Sequence, residues 1–218
     1  MDITWIGHAA FLLRSGASTL LMDPFPETLG VRVPPTLARA GVVTVSNGDL
    51  YHSATNVVSG APVVLSGPGE YEVSGFRIKG LRTPLNANPP AEGGGWNTVF
   101  VVEVEGVVVC HLGALASPLT ARQVEDLSSS QVLLLPVGGH GVLSPSDAAE
   151  VVHNIEPRIA VPMMYAHPGN RLELEPLSRF MGELGIKQPD SKDRLVVTRA
   201  ALPSETQVVP LDPAATLL

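Results

Sequence analysis

The chain has 218 residues, enough for one compact domain or for two halves sharing a core. Hydrophobic residues make up 44% and charged residues only 16%, which excludes a disordered chain. The formal net charge is −7 with no cluster of Lys and Arg, which argues against a nucleic-acid partner. The opening "MDITWIGHAAF" lacks the basic start and long apolar core of a signal peptide, and no apolar run reaches bilayer length. Cys110 is the single cysteine, so no internal disulfide can form; in "VFVVEVEGVVVCHL" it reads as a small buried hydrophobe. The expectation is a cytoplasmic protein without a membrane partner.

In chain order, "DITWIGHAAFLLRSG" and "STLLMDPF" predict a hairpin turning near Ser15, Gly16 and Ala17. The segment "PPTLARAG" predicts a short helix, with Pro ahead of it and Gly41 behind. Short strands follow in "VVTVS", "PVVLSG", "GEYEVSG" and "FRIKGLRT". Residues 84–97, "PLNANPPAEGGGWN", carry no periodicity and read as a long loop of the kind used as a lid or tip. A second hairpin is expected in "NTVFVVEVEGVVVCHLGAL". Three punctuated helices come after it: Thr120-x-x-Gln123 opens "ARQVEDL" as a capping box, Ser144-Pro145 opens "SDAAEVVHNI", and Gly185 closes "EPLSRFMGELG". Buried strands "QVLLLPVGG" and "RIAVPMMY" lie between them. Each half thus begins on a hairpin, which suggests two packed sheets whose loops meet at one edge.

The segments "ITWIGHAAF", "LLMDPF", "VVTVSNGDLYH", "GPGEYEVSGFRIKGLRT", "LLLPVGG" and "EPRIAVPMMY" resemble, in the right order, the small metal-dependent hydrolases of the metallo-β-lactamase superfamily. The nearest branch is similar to the L-ascorbate-6-phosphate lactonase-like proteins. The resemblance implies a single domain over residues 1–218 with a four-layer αβ/βα sandwich, two mixed sheets flanked by helices. It also implies a metal motif, His-x-His-x-Asp-His, because alternate loop residues can face one ion while the next Asp and His face a second. Laid on this chain, the motif's first His falls on Asn47, its second on Asp49, its Asp on Tyr51, and only its last His is kept, as His52. The third His falls near Leu85 and Asn86, the bridging Asp on Ala114 and the last His on Met164. His8 and Asp23 match positions beside the cleft; with the ligand changed to Asn47, Asp23 is expected to hydrogen-bond that amide instead.

Two readings follow. The main one is a non-catalytic relative that has lost its di-metal centre, holding no metal or other cofactor. Its cleft, lined by His8, Asp23, Asn47, Tyr51, Asn86, Ala114 and Met164, would bind an unidentified small molecule or protein partner. The alternative is a re-tooled hydrolase with a mononuclear zinc or a His/Asp acid–base site in the same cleft. There His52 would work with His140 or His167 as proton carriers and Asp49 as the orienting carboxylate. Assembly into a homo-oligomer is left open in both. His153 reads as exposed, His111 as a buried hydrogen-bonded residue, and Ser46 as lacking a neighbouring base in sequence.

Overall fold

The computed structural model describes every residue except 37, 86–94, 169 and 218. The expected first hairpin is a three-stranded meander. β1 (Asp2–Gly7) turns sharply at His8 and Ala9 into β2 (Ala10–Ser15), which turns again into β3 (Ser18–Met22). The early break arises because Gly7 and His8 both take positive φ, 143° and 49°, which no continuing strand tolerates. After a small β4 (Val31–Arg32), the helix expected over "PPTLARAG" is absent. Its described residues make one turn, Ala38 N–H to the Pro34 carbonyl, and then a bridge at Arg39, where the Ala38 carbonyl and Ala40 amide bond to Ser59 and are lost to a helical ladder. β5 (Val42–Val45) then runs parallel to β3. The loop beyond it holds one helical turn that the sequence pattern did not reveal, α1 (Leu50–Ser53), capped by Asp49. β6 (Val63–Ser66) completes this side, parallel to β5.

β7 (Gly69–Val73), β8 (Phe76–Pro84), β9 (Trp96–Val104) and β10 (Val107–His111) form an antiparallel run. The middle of the expected loop between β8 and β9, including Asn86, lies outside the described residues. The three predicted helices are present. α2 (Ala121–Leu127) carries the full capping box of Thr120 and Gln123, followed by β11 (Val132–Pro136). α3 (Pro145–Ile155) has Ser144 accepting from the Asp147 amide and leads to β12 (Ile159–Met163). α4 (Leu177–Glu183) buries Leu177, Phe180 and Met181, and the chain finishes through β13 (Leu195–Val196), β14 (Gln207–Val208) and β15 (Thr216–Leu217).

One sheet has the order β13-β1-β2-β3-β5-β6 and the other β14-β12-β11-β10-β9-β8-β7. Each starts from an antiparallel hairpin and continues into parallel strands, so both are mixed. Period-2 alternation in the first sheet sends Ile3, Trp5, Phe11, Leu13 and Leu20 toward the second sheet. It sends Ile6, Leu12, Leu21 and Val43 to the opposite face, where Phe25, Leu29 and Val31 cover them. On the far side of the second sheet α3 packs against β11 and α4. The result is two mixed sheets flanked by helices, as the resemblance implied. Among the described residues no helix is long and apolar enough to cross a membrane. The C-terminal ends of β3, β5, β10, β11 and β12 carry Asp23, Ser46, Leu112, Val137 and Met164, which brings their loops to one edge.

Candidate functional site

The site grows from the end of β3. Asp23 sits there at φ 44° with no exposed surface, a left-handed conformation that aims its carboxylate across the ends of β3 and β5. Oδ1 accepts from the Ser46 amide at 2.8 Å; Oδ2 accepts from the Ser46 hydroxyl at 2.5 Å and from His52 Nδ1 at 2.7 Å. The expected bond from Asp23 to Asn47 is not made, because Asn47 is spent locally. Its Nδ2 donates to Ser46 Oγ at 3.1 Å and its Oδ1 accepts from the Asp49 amide at 2.9 Å. Asp49 repeats the device, accepting from the Tyr51 amide at 2.9 Å. The polar alternation of this loop is therefore a ladder of side chains capping backbone amides two residues on. That use turns the Asp49 carboxylate onto the start of α1, whereas Asp23 is the carboxylate that orients His52.

His52 is almost wholly buried, and its ring centre lies 5.0 Å from that of His8, which in turn meets Tyr51 edge-on at 6.0 Å. His8 takes φ 49° and is pinned by its own carbonyl, which accepts from Trp5 Nε1 at 3.0 Å and from the Met164 amide at 3.3 Å. These bonds tie the β1–β2 turn to the end of β12 across the two sheets. Among the described residues His8 Nδ1 is buried without a hydrogen-bond partner. His111 is the buried, hydrogen-bonded residue expected, donating from Nε2 to the Ala9 carbonyl at 2.8 Å.

The other predicted residues divide. Ala114 is fixed through its amide to Asn97 Oδ1 at 2.9 Å, and Met164 at φ 52° packs into the core, so both close the site rather than present groups to it. His167 lies on the far side of His8, its ring 5.4 Å from Trp5 and beside Tyr165, and its charge would be felt at His8. His140 stands exposed at φ 52° beyond β11, with no contact to His52 among the described residues. The four histidines do not form one cluster. Ser46 was the residue that sequence order hid: its neighbours Asp23 and His52 arrive from 23 positions back and six ahead. The recurrence of a left-handed non-glycine residue at His8, Asp23 and Met164 could not be seen in the sequence.

Electrostatics separate these groups. Burial lowers the His8 pKa well below the ordinary histidine value, helped by His52 and opposed by Asp23, so His8 is neutral near pH 7. Burial also lowers those of His111 and His167. For Asp23 burial pushes the pKa up, but the charge and hydrogen bond of His52 and the bond from Ser46 outweigh it, and the net shift is downward. The sign for stability follows. Below about pH 6.5 the unfolded chain protonates histidines that the folded protein holds neutral, so stability falls as pH drops through that value toward the lowered folded pKa values. Asp23 acts in a lower window: its contribution is present above the unfolded carboxylate pKa and is lost as pH falls below it. A melting temperature that drops from pH 7 to pH 5, and again below pH 4, is the expected result; a flat profile over the first interval would contradict the buried neutral histidines.

Residues 2–164 match the Beta-lactamase superfamily domain. The chain is 28% identical to a UPF0173 metal-dependent hydrolase of Methanopyrus kandleri over 85% of this chain and 94% of that one. It is 31% identical to the UPF0173 metal-dependent hydrolase of Methanoculleus marisnigri over 82% of this chain and 88% of that one. A Thermotoga maritima structure, provisionally named a zinc-dependent hydrolase of the metallo-β-lactamase superfamily, superposes with a TM-score of 0.76 at 33% identity, covering 96% of this chain and 97% of that one. The fold and its edge site thus define a metallo-β-lactamase sandwich. The chain belongs to that superfamily, beside the UPF0173 metal-dependent hydrolases.

These findings overturn the main functional expectation. The relatives matched along most of the chain are named hydrolases, and nothing in the family or fold marks a non-catalytic role or a lost di-metal centre. The expected non-catalytic relative without its di-metal centre is accordingly not supported by the relatives. The alternative, a hydrolase using the same cleft, agrees better with the relatives.

Proposed function

We propose that the protein is a hydrolase in which His52, held by Asp23, activates water for attack on a carboxylic ester or lactone carbonyl. The observation that carries this is the buried 2.7 Å contact between His52 Nδ1 and Asp23 Oδ2. A carboxylate can only accept there, so the proton resides on Nδ1, and in the neutral ring Nε2 keeps the lone pair of a general base. Nε2 takes a proton from water as the water oxygen bonds to the carbonyl carbon; the imidazolium, stabilised by Asp23, then returns that proton to the leaving oxygen as its bond breaks. Ser46 donates its hydroxyl to Asp23 and meets His52 only on the Nδ1 side, at 3.5 Å, so it orients the pair and is not the nucleophile. His8, neutral and close by, is the group placed to hydrogen-bond the carbonyl oxygen.

The relatives' names raise the question of a metal. His52 with Nδ1 on a carboxylate has the orientation of a ligating histidine as well. Among the described residues, however, no three of His, Cys, Asp and Glu come together in a way that could hold an ion. The chemistry above therefore rests on this chain's own described groups, and the zinc arm of the test below decides whether an ion takes part. This also favours a carbonyl over a phosphate ester, whose transition state needs more positive charge than one imidazole provides.

The test is turnover of p-nitrophenyl acetate and γ-butyrolactone by the parent, His52→Gln and Asp23→Asn, after dialysis against chelator and again with zinc supplied. The expected outcome is activity that survives dialysis and falls about 10²–10⁴-fold in both variants. Activity seen only with zinc, or a His52→Gln enzyme within threefold of the parent, would overturn the mechanism.

A further inference from the structure

Beside the His52–Asp23 pair a cavity of about 310 Å³ opens between the ends of β5, β6, β8 and β9. Ser46 and Asn47 form the wall it shares with the pair, and Arg82, Thr98 and Trp96 are among the residues lining the remainder. Among the described residues lining it, Arg82 is the only charged one. This is unusual placement for a cation in a chain of net charge −7. Arg82 and Thr98 are paired across β8 and β9, as are Pro84 and Trp96, so the two functional side chains rise from rigid strands rather than from a loop. The Arg82 guanidinium carbon lies 5.2 Å from the Trp96 ring centre. A cation over a ring face at this distance is held beside the indole while its N–H groups remain able to donate to an anion. Trp96 is 41% exposed, a large aromatic surface kept open at a cavity mouth. Among the described residues Arg82 makes no ion pair.

A guanidinium over an open indole face, in a cavity whose other described lining residues are uncharged, is complementary to an anionic group joined to an apolar or planar body. We propose that this cavity is the substrate's recognition subsite: Arg82 takes a carboxylate or phosphate remote from the scissile bond, and Trp96 covers the adjoining group. This deepens the hydrolase reading and rests on it only for the word "substrate"; anion binding by Arg82 and Trp96 stands or falls on its own.

The experiment exploits the contrast between the two tryptophans, since Trp5 has no exposed surface and Trp96 is open. Tryptophan emission is followed while benzoate, phenyl phosphate or neutral benzyl alcohol is titrated into the parent and into Arg82→Gln, Arg82→Lys and His52→Gln. Expected is saturable quenching by at least one anion, weakened tenfold or more in Arg82→Gln, largely kept in Arg82→Lys and unchanged in His52→Gln. Whichever of benzoate and phenyl phosphate binds more tightly identifies the anion. Benzyl alcohol binding as tightly as the anions, an Arg82→Gln protein within twofold of the parent, or no saturable quenching would each overturn the subsite. Loss of ester turnover in His52→Gln with anion binding intact separates this result from the fate of the hydrolytic mechanism.

Discussion

Asp23→Ala is expected to destabilise the protein by about 3–5 kcal/mol, because it leaves buried donors without an acceptor at a cost of about 1–3 kcal/mol each. Three donors lose their acceptor at once: the Ser46 amide, the Ser46 hydroxyl and His52 Nδ1. None reaches bulk water easily, since Ser46 and His52 are both buried. The left-handed backbone adds to the loss, because Asp tolerates φ 44° better than Ala. Asp23→Asn separates the two roles. It retains the volume and the acceptor for the Ser46 amide, so folding should suffer less. Its NH2 group, placed where Oδ2 was, drives the His52 proton to Nε2 and abolishes the base. Denaturant unfolding followed by circular dichroism checks both. An Asp23→Ala midpoint corresponding to less than 1 kcal/mol would show that the pair does not hold the site together.

The second large effect is expected from Gly138→Ala, at about 3 kcal/mol or more. A Cβ there would lie inside the Met164 carbonyl oxygen, far closer than real Cβ atoms approach, and against Leu174. The obstacle is backbone and cannot rotate aside. Met164 is held by its amide to the His8 carbonyl at 3.3 Å, Val137 to the Met163 carbonyl at 3.1 Å, and Glu175 to the Gly138 carbonyl at 2.8 Å. Relief therefore requires the loops after β11 and β12 to part, which moves His8 with them. Gly182→Ala in α4 is the control. Nothing lies within 4 Å of the added atom there, so the change should be neutral or should stabilise by a few tenths of a kcal/mol. Equal melting temperatures for the two variants would refute the close approach.

The contrast between these positions shows what could be read from the residues. Helix punctuation was legible at Thr120, Ser144 and Gly185 because a cap is a local device, satisfied within three or four residues. The strands at "LLMD" and "VVTV" were legible as short apolar runs, because a strand covered on both faces is buried throughout. The "PPTLARAG" helix failed because local punctuation suggested it while a distant residue, Ser59, took the backbone groups of Ala38 and Ala40. The polar loop after β5 misled in another way. Asn47, Asp49 and His52 were the residue types a binding site uses, but Asn and Asp also cap their own backbone, and sequence does not say which use wins. Here the backbone took Asn47 and Asp49, and His52 was left for Asp23.

By itself, then, the sequence determined the fold class, most of the strands, the three later helices and the edge at which loops meet, since hydrophobic period and turn chemistry act over short stretches of chain. Only the tertiary structure decided the chemistry. It joined Asp23 to His52 across 29 positions, drew His8 in from the first turn, left His140 outside, and set Arg82 over Trp96 from opposite ends of a loop. Those pairings depend on left-handed turns at His8 and Asp23 and on strand register. Both are fixed by what the whole core must bury, and neither leaves a mark on neighbouring residues.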